Sequence, residues 1–157
     1  MEREQPTIRH SVHVACAAAE VFTLVADSAN DPRWREGVYA VEVSGPLAVG
    51  RLCRESRTTL RVFHSMTPFT VTALEPPRRV VLETPGHHPW WQRQVREVRP
   101  ISAQRSLLVV EQTFDVWHVL APLVPWVRAS RLKDDLRRVR RLLEGRARRG
   151  RQGGKAD

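Results

Sequence analysis

Little in this sequence announces a membrane, a nucleotide or a disulfide framework. No apolar run approaches the roughly 20 residues a membrane span needs. The opening Met1-Glu2-Arg3-Glu4-Gln5-Pro6 has no apolar segment behind a basic one, so no signal peptide and a cytoplasmic location are expected. Neither GxGxxG nor GxxxxGKS/T occurs, and no helices alternate with the strand-like segments, which argues against nucleotide-binding α/β folds. There are two cysteines, Cys16 and Cys53, in separate predicted strands. A disulfide is one reading, but two buried thiols in a reducing compartment is the plainer one. Histidines give no metal centre: His87-His88 precedes Pro89 in a loop without a second cluster, so neither metal nor cofactor is expected. Lysine is nearly missing, with arginine outnumbering it 24 to 2, a skew that GC-rich coding alone produces.

The net charge of +9 suggests nucleic acid until it is located. Residues 145–157 carry five basic residues against Asp157, so +4 lies in the tail and +5 in the body. Aromatic residues do not interleave with the basic cluster as a base-stacking platform requires. No specific nucleic-acid partner is therefore expected, and the tail, 146–157, reads as a basic, disordered appendage able to touch RNA or an anionic membrane weakly. Residues 1–145 form one domain with enough chain for a core.

The chain's strongest pattern is its last helix, predicted from Ala121 to Glu144 with Gly145 as its stop. Ala129, Leu132, Leu136, Val139 and Leu143 recur at helical spacing on one stripe, with Arg128, Arg131, Arg137 and Arg138 among the residues on the solvated side. Thr7 to Cys16 alternates with period two and reads as a strand. A short helix follows from Ala17, with a further turn at Pro32 to Glu36. Strands are then expected over Val38–Ser44, Gly50–Phe63, Pro68–Glu75, Arg79–Thr84, Trp90–Arg99 and Ser106–Trp117, each bounded by turn residues.

That order, with Val12-His13-Val14-Ala15, Ala19-Glu20-Val21-Phe22, Val25-Ala26-Asp27 and Pro32-Arg33-Trp34, resembles the opening of the START-like SRPBCC superfamily. Val49-Gly50, the stretch Val71 to Arg78, Glu111-Gln112-Thr113-Phe114-Asp115 and the closing Leu132 to Glu144 extend the resemblance over residues 6–144. It is nearest the polyketide cyclase/dehydrase-like branch. Two departures are Ala17-Ala18, where proline is common in the family, and a last hairpin, Pro100 to Arg105, without glycine. The resemblance implies an α+β helix-grip fold: a curved antiparallel seven-stranded sheet wrapped around a long C-terminal helix, with two short helices after strand 1. It also implies a cavity for a hydrophobic ligand.

Strand parity then nominates the lining. Leu108, Val110, Gln112, Phe114 and Val116 share the apolar face of the last strand, so Gln112 is a polar group that meets either a neighbour or a ligand. Arg54 shares a face with Leu52 and Leu60, where it meets a ligand oxygen or twists into solvent. Thr70 and Thr72 follow Leu74, and Tyr39 shares its strand face with Val41 and Val43. Trp34 closes the cavity's end, and Trp126, Trp90 and Trp91 guard its mouth. Catalytic candidates are thin: Arg54, Gln112 and His118 as groups that polarise oxygens or move protons. The expected function is binding of a small hydrophobic or aromatic, polyketide-like or lipid molecule. It comes either with cyclase or dehydratase chemistry by orientation, or as a carrier or sensor without chemistry.

Overall fold

A computed structural model of the chain describes residues 3–153. Seven antiparallel strands form one sheet; in chain order they are β2 (Thr7–Val14), β3 (Val38–Val43), β4 (Leu52–Thr59), β5 (Phe63–Glu75), β6 (Arg79–Glu83), β7 (Gln92–Ser102) and β8 (Arg105–Phe114). Across the sheet they run β2-β8-β7-β6-β5-β4-β3. A two-stranded accessory pairs β1 (Arg3–Glu4) with β9 (Val116–Trp117). Helix α1 (Ala18–Ala26) and a 3-10 turn (Ser28–Arg33) lie between β2 and β3, and α2 (Val124–Gly153) closes the chain. This is the expected helix-grip arrangement.

The helix is gripped as its stripe requires. Leu132, Leu136, Val139 and Leu143 are all buried, in one cluster with Val14 and Val110 of the sheet and Val21 and Val25 of α1. Burying each large aliphatic side chain contributes about 1.5–3 kcal/mol, which outweighs the mutual repulsion of arginines along so basic a helix. Both free cysteines are buried, as the plainer reading held. The Cys16 thiol donates to Glu20 at 2.6 Å, and burial with that bond pushes its pKa up to about 11, so it is an inert group.

Three boundaries differ from expectation. The long polar strand 50–63 ends at Thr59, where Leu60 and Arg61 adopt positive φ (52° and 61°) and turn the chain directly into β5. Side chains rarely accept that conformation, and because Leu60 and Arg61 take it here, no glycine signal marks the turn. The second short helix is the 3-10 turn Ser28–Arg33 rather than a turn at 32–36; Asp27 caps it by accepting from Ala29 N–H at 3.0 Å. Finally, α2 starts at Val124 and continues through Gly145 to Gly153, because a glycine inside a helix costs only about 1 kcal/mol. The expected disordered tail is thus helical as far as Gly153, and residues 154–157 lie outside the described residues. Gly37 is a glycine that both backbone conformation and space demand. Its φ is +80°, and an added Cβ would sit 2.6 Å from the Thr58 carbonyl oxygen.

Candidate ligand-binding site

Between α2 and the concave sheet face lies a cavity of about 540 Å³. Its construction begins with an ionic network that pins the segment after α1 to the sheet. Arg96, on the inward face of β7 and 1% exposed, donates to both carboxylate oxygens of Asp31 at 2.7 and 2.6 Å. It also donates to the Val25 carbonyl at 2.7 Å and to Gln94 Oε1 at 2.6 Å, and its guanidinium lies 5.0 Å from the centre of the Trp34 ring. Arg35 donates to the same Asp31 at 2.9 Å and to Glu55 of β4. Glu55 in turn accepts from Arg57 Nε at 3.2 Å. The chain of charges therefore runs Arg96–Asp31–Arg35–Glu55–Arg57, from the core to the cavity wall.

Burial would raise the Glu55 pKa, but Arg35 and Arg57 outweigh it and hold the carboxyl below the ordinary range. Arg35 is likewise opposed by burial yet held above its ordinary value by Glu55 and Asp31. Arg57 is pushed down, first by burial and then by repulsion from Arg35.

The opposite wall is a row on α2: Arg128, Arg131 and Asp135, at i, i+3 and i+7, all line the cavity. This row sits one residue, about 100°, around the helix from the leucine stripe, so it borders the core instead of facing water. Arg128 lies over the Phe114 ring, 4.1 Å from its centre, and donates to Gln92 Oε1 at 3.2 Å. Among the described residues, no carboxylate lies within 4.0 Å of the Arg128 or Arg131 guanidinium. Burial and repulsion from Arg57 and Arg35 push the Arg128 pKa down to about 10, so it remains cationic at neutral pH. Asp135 accepts the Glu36 backbone N–H at 2.8 Å. Its pKa is nevertheless raised, because burial outweighs that bond and the neighbouring arginines. The mouth is apolar by comparison, with Leu60, Met66, Trp90, Leu123, Val124 and Val127.

Parity served the last strand well and failed elsewhere. Gln112 lines the cavity as expected. Val110 and Phe114 face the same way but are buried core, with Phe114 acting only as the platform under Arg128. Arg54 points to solvent, its side chain 65% exposed, with Glu42 4.0 Å away. In β4 the inward face is Cys53, Glu55 and Arg57, continued by Arg51 just before the strand, while Leu52 and, in the following turn, Leu60 are exposed.

Thr70 and Thr72 also face outward. A bulge between Val71 and Ala73 breaks the parity, so Leu74 packs on the core although Thr72 does not. A similar bulge between Val38 and Ala40 leaves Tyr39 exposed, edge-on to His64. Trp34 is buried core away from the cavity lining, and Trp126 is 69% exposed outside it. His118 lies outside the cavity as well, paired with Glu4. Sequence reasoning missed Arg35, Glu55, Arg57, Arg128, Arg131 and Asp135. Their available signals were the charged alternation in β4 and the helical spacing in α2.

Solved structures of the same architecture exist. The START superfamily protein from Mycobacterium smegmatis is 17% identical, with a TM-score of 0.74 over 90% of this chain and 99% of that one. The Zhui aromatase/cyclase from Streptomyces sp. R1128 is 18% identical, with a TM-score of 0.70 over 92% and 96%. Norcoclaurine synthase from Thalictrum flavum is 13% identical, with a TM-score of 0.69 over 90% and 95%. At such identities the likeness is one of fold. No curated protein matches the chain in sequence. The profile of one family, polyketide cyclase / dehydrase and lipid transport, matches residues 5–144, and with nearly the whole body of the chain so covered, the protein belongs to that family.

Proposed function

We propose that residues 1–145 bind a small hydrophobic or aromatic, polyketide-like molecule that carries an acidic oxygen, a carboxylate, phenolate or enolate. One observation carries this reading. Arg128 faces a cavity with an apolar mouth, braced on Phe114 and held by a neutral amide, with no carboxylate to neutralise it among the described residues. A partly buried cation in that state favours an anionic guest, while the aliphatic and aromatic mouth holds the guest's apolar body. Gln112, from the sheet, and Arg131, from α2, add donors to the same cavity. The family and the fold neighbours support a hydrophobic ligand. The reducing cytoplasm, where the two free thiols are at home, is our reading of location.

Asp135 favours cyclase or dehydratase chemistry over carriage alone. It lines the same cavity one helical turn beyond Arg131, and its raised pKa keeps its proton longer than an ordinary carboxyl would. In this reading the arginines hold the enolate oxygen while the Asp135 carboxylate takes the proton lost on enolisation and passes it to the departing hydroxyl, which leaves as water.

Titration with an acidic aromatic probe and its neutral analogue tests the binding step, with Trp90 at the mouth as fluorescent reporter. Arg128→Met should weaken the acidic probe roughly ten- to a hundredfold, the worth of one charge-assisted hydrogen bond, about 1.5–3 kcal/mol. The neutral analogue should bind as before, and Arg54→Met should change neither. Equal affinity of wild type and Arg128→Met for the acidic probe would remove the anion from the proposal.

A further inference from the structure

The charges on the cavity wall do not balance. The lining holds four guanidiniums, of Arg35, Arg57, Arg128 and Arg131, against two carboxylates, of Glu55 and Asp135. The ion pair behind them, Arg96 with Asp31, is neutral as a unit. Four cations against two anions leave two positive charges in excess, and protonation of Asp135 only enlarges that number. The excess is also localised. Glu55 is shared between Arg35 and Arg57, whereas Arg128 and Arg131 have no carboxylate within 4.0 Å among the described residues.

Three of these cations act on one another. Burial depresses the Arg128 pKa first, and repulsion from Arg57 across the cavity and from Arg131 along α2 depresses it further. Arg57 is depressed in the same way, by burial, by Arg35 and also by Arg131. Like charges gathered from two walls around one half-buried space are a cost to folding that an anion of matching charge removes. We infer that the guest's head is a dianion, two negative charges carried close together, seated between Arg57, Arg128 and Arg131. The inference rests on the reading of the cavity as a site for an acidic apolar molecule, and it narrows that molecule's head.

Two chemistries supply such a head on an aromatic body: a phosphate monoester and a pair of vicinal carboxylates. Guanidinium forks pair with the oxygens of either two at a time. A single carboxylate, a phenolate or a phosphodiester leaves one cation without a counter-charge. The body has its own place. Val124 and Val127 precede Arg128 and Arg131 along α2, and Leu60, Met66 and Trp90 line the same apolar end. Val124 to Arg131 spans roughly 10 Å at about 1.5 Å per residue, which accommodates a two-ring body beside its head. Inorganic phosphate has the charge without the body and is the weaker ligand.

The test is calorimetric titration of the full chain at about pH 8, well above a phosphate monoester's second pKa of about 6. The probes are naphthyl phosphate and vicinal naphthalenedicarboxylate, each beside its singly charged monomethyl ester. At least one dianion should bind roughly tenfold or more tighter than its ester, and which one does so names the head chemistry. Arg131→Met should reduce that preference to about threefold or less, while Arg131→Lys should keep most of it. Both variants should fold, because Arg131 is only half-buried. Dianions that bind no tighter than their esters overturn the inference, and so does a preference that Arg131→Met leaves intact. Inorganic phosphate that binds as tightly as naphthyl phosphate overturns it too. The broader reading fails separately, through esters whose affinity Arg128→Met does not change.

Discussion

Replacing Arg96 by methionine should be among the most damaging single changes in this protein. The substitution keeps the aliphatic bulk over Trp34 but removes all four hydrogen bonds that the guanidinium makes. Asp31, 1% exposed, would then keep Arg35 alone as a cationic partner, and the Val25 carbonyl and Gln94 amide oxygen would lose their donor. Removing one member of a buried ion pair costs about 3–5 kcal/mol, because the remaining charge has been taken out of water and not repaired. Orphaned neutral acceptors add about 1–3 kcal/mol each where water cannot reach them. A loss of about 4 kcal/mol or more is expected, against a typical net stability of about 5–15 kcal/mol.

Asp31→Asn should be comparably harmful, leaving Arg96 without a carboxylate partner and Arg35 with Glu55 alone. The double variant should be well short of the sum, with a coupling above roughly 2 kcal/mol. Urea melts of the two singles and the double measure this directly. If Arg96→Met costs less than about 1 kcal/mol, water reaches the pair and the network is ornament. The network also sets an acid limit. Because the Glu55 pKa is depressed on folding, its contribution is complete above its ordinary value of 4.5 and is lost as pH falls through the lower folded value.

Two other outcomes follow from the same geometry. Leu136→Ala, at a position 1% exposed on the gripped face of α2, should cost about 2–5 kcal/mol in denaturant melts, and a cost under about 0.5 kcal/mol would mean the helix is not gripped. Asp135→Asn should stabilise the protein at pH 7, because folding raises this carboxyl's pKa and its ionised form is therefore disfavoured. The gain should shrink as pH falls through the raised value toward 3.8 and vanish below it, while any proton-transfer turnover is lost at every pH.

The fold was legible because its evidence is redundant. Five residues at helical spacing in α2 and strand-length alternations between turn signals all call for the same packing, and an error in one boundary leaves the rest standing. The site was less legible because face assignment rests on one bit of parity, and a single extra residue inverts it. Bulges at Val38/Ala40 and Val71/Ala73 did this to Tyr39 and to the pair Thr70 and Thr72. No residue type announces a bulge of this kind.

Arg54 failed for a different reason, and the reason reaches the function. Hydrophobicity chose the face of Leu52 and Leu60, and on an isolated strand that choice is sound. It is overridden here because Asp31 and Arg35 arrive from the 3-10 turn and make a buried charged face affordable, with Glu55 neutralising Arg35 and Arg57 together. The same logic applies across the cavity. Arg128 and Arg131 look like the solvated side of a helix until the wall opposite is known, and only then is their missing carboxylate visible. Glu55 is fully engaged by the two arginines on its own side. An acidic guest is the group that this arrangement leaves room for.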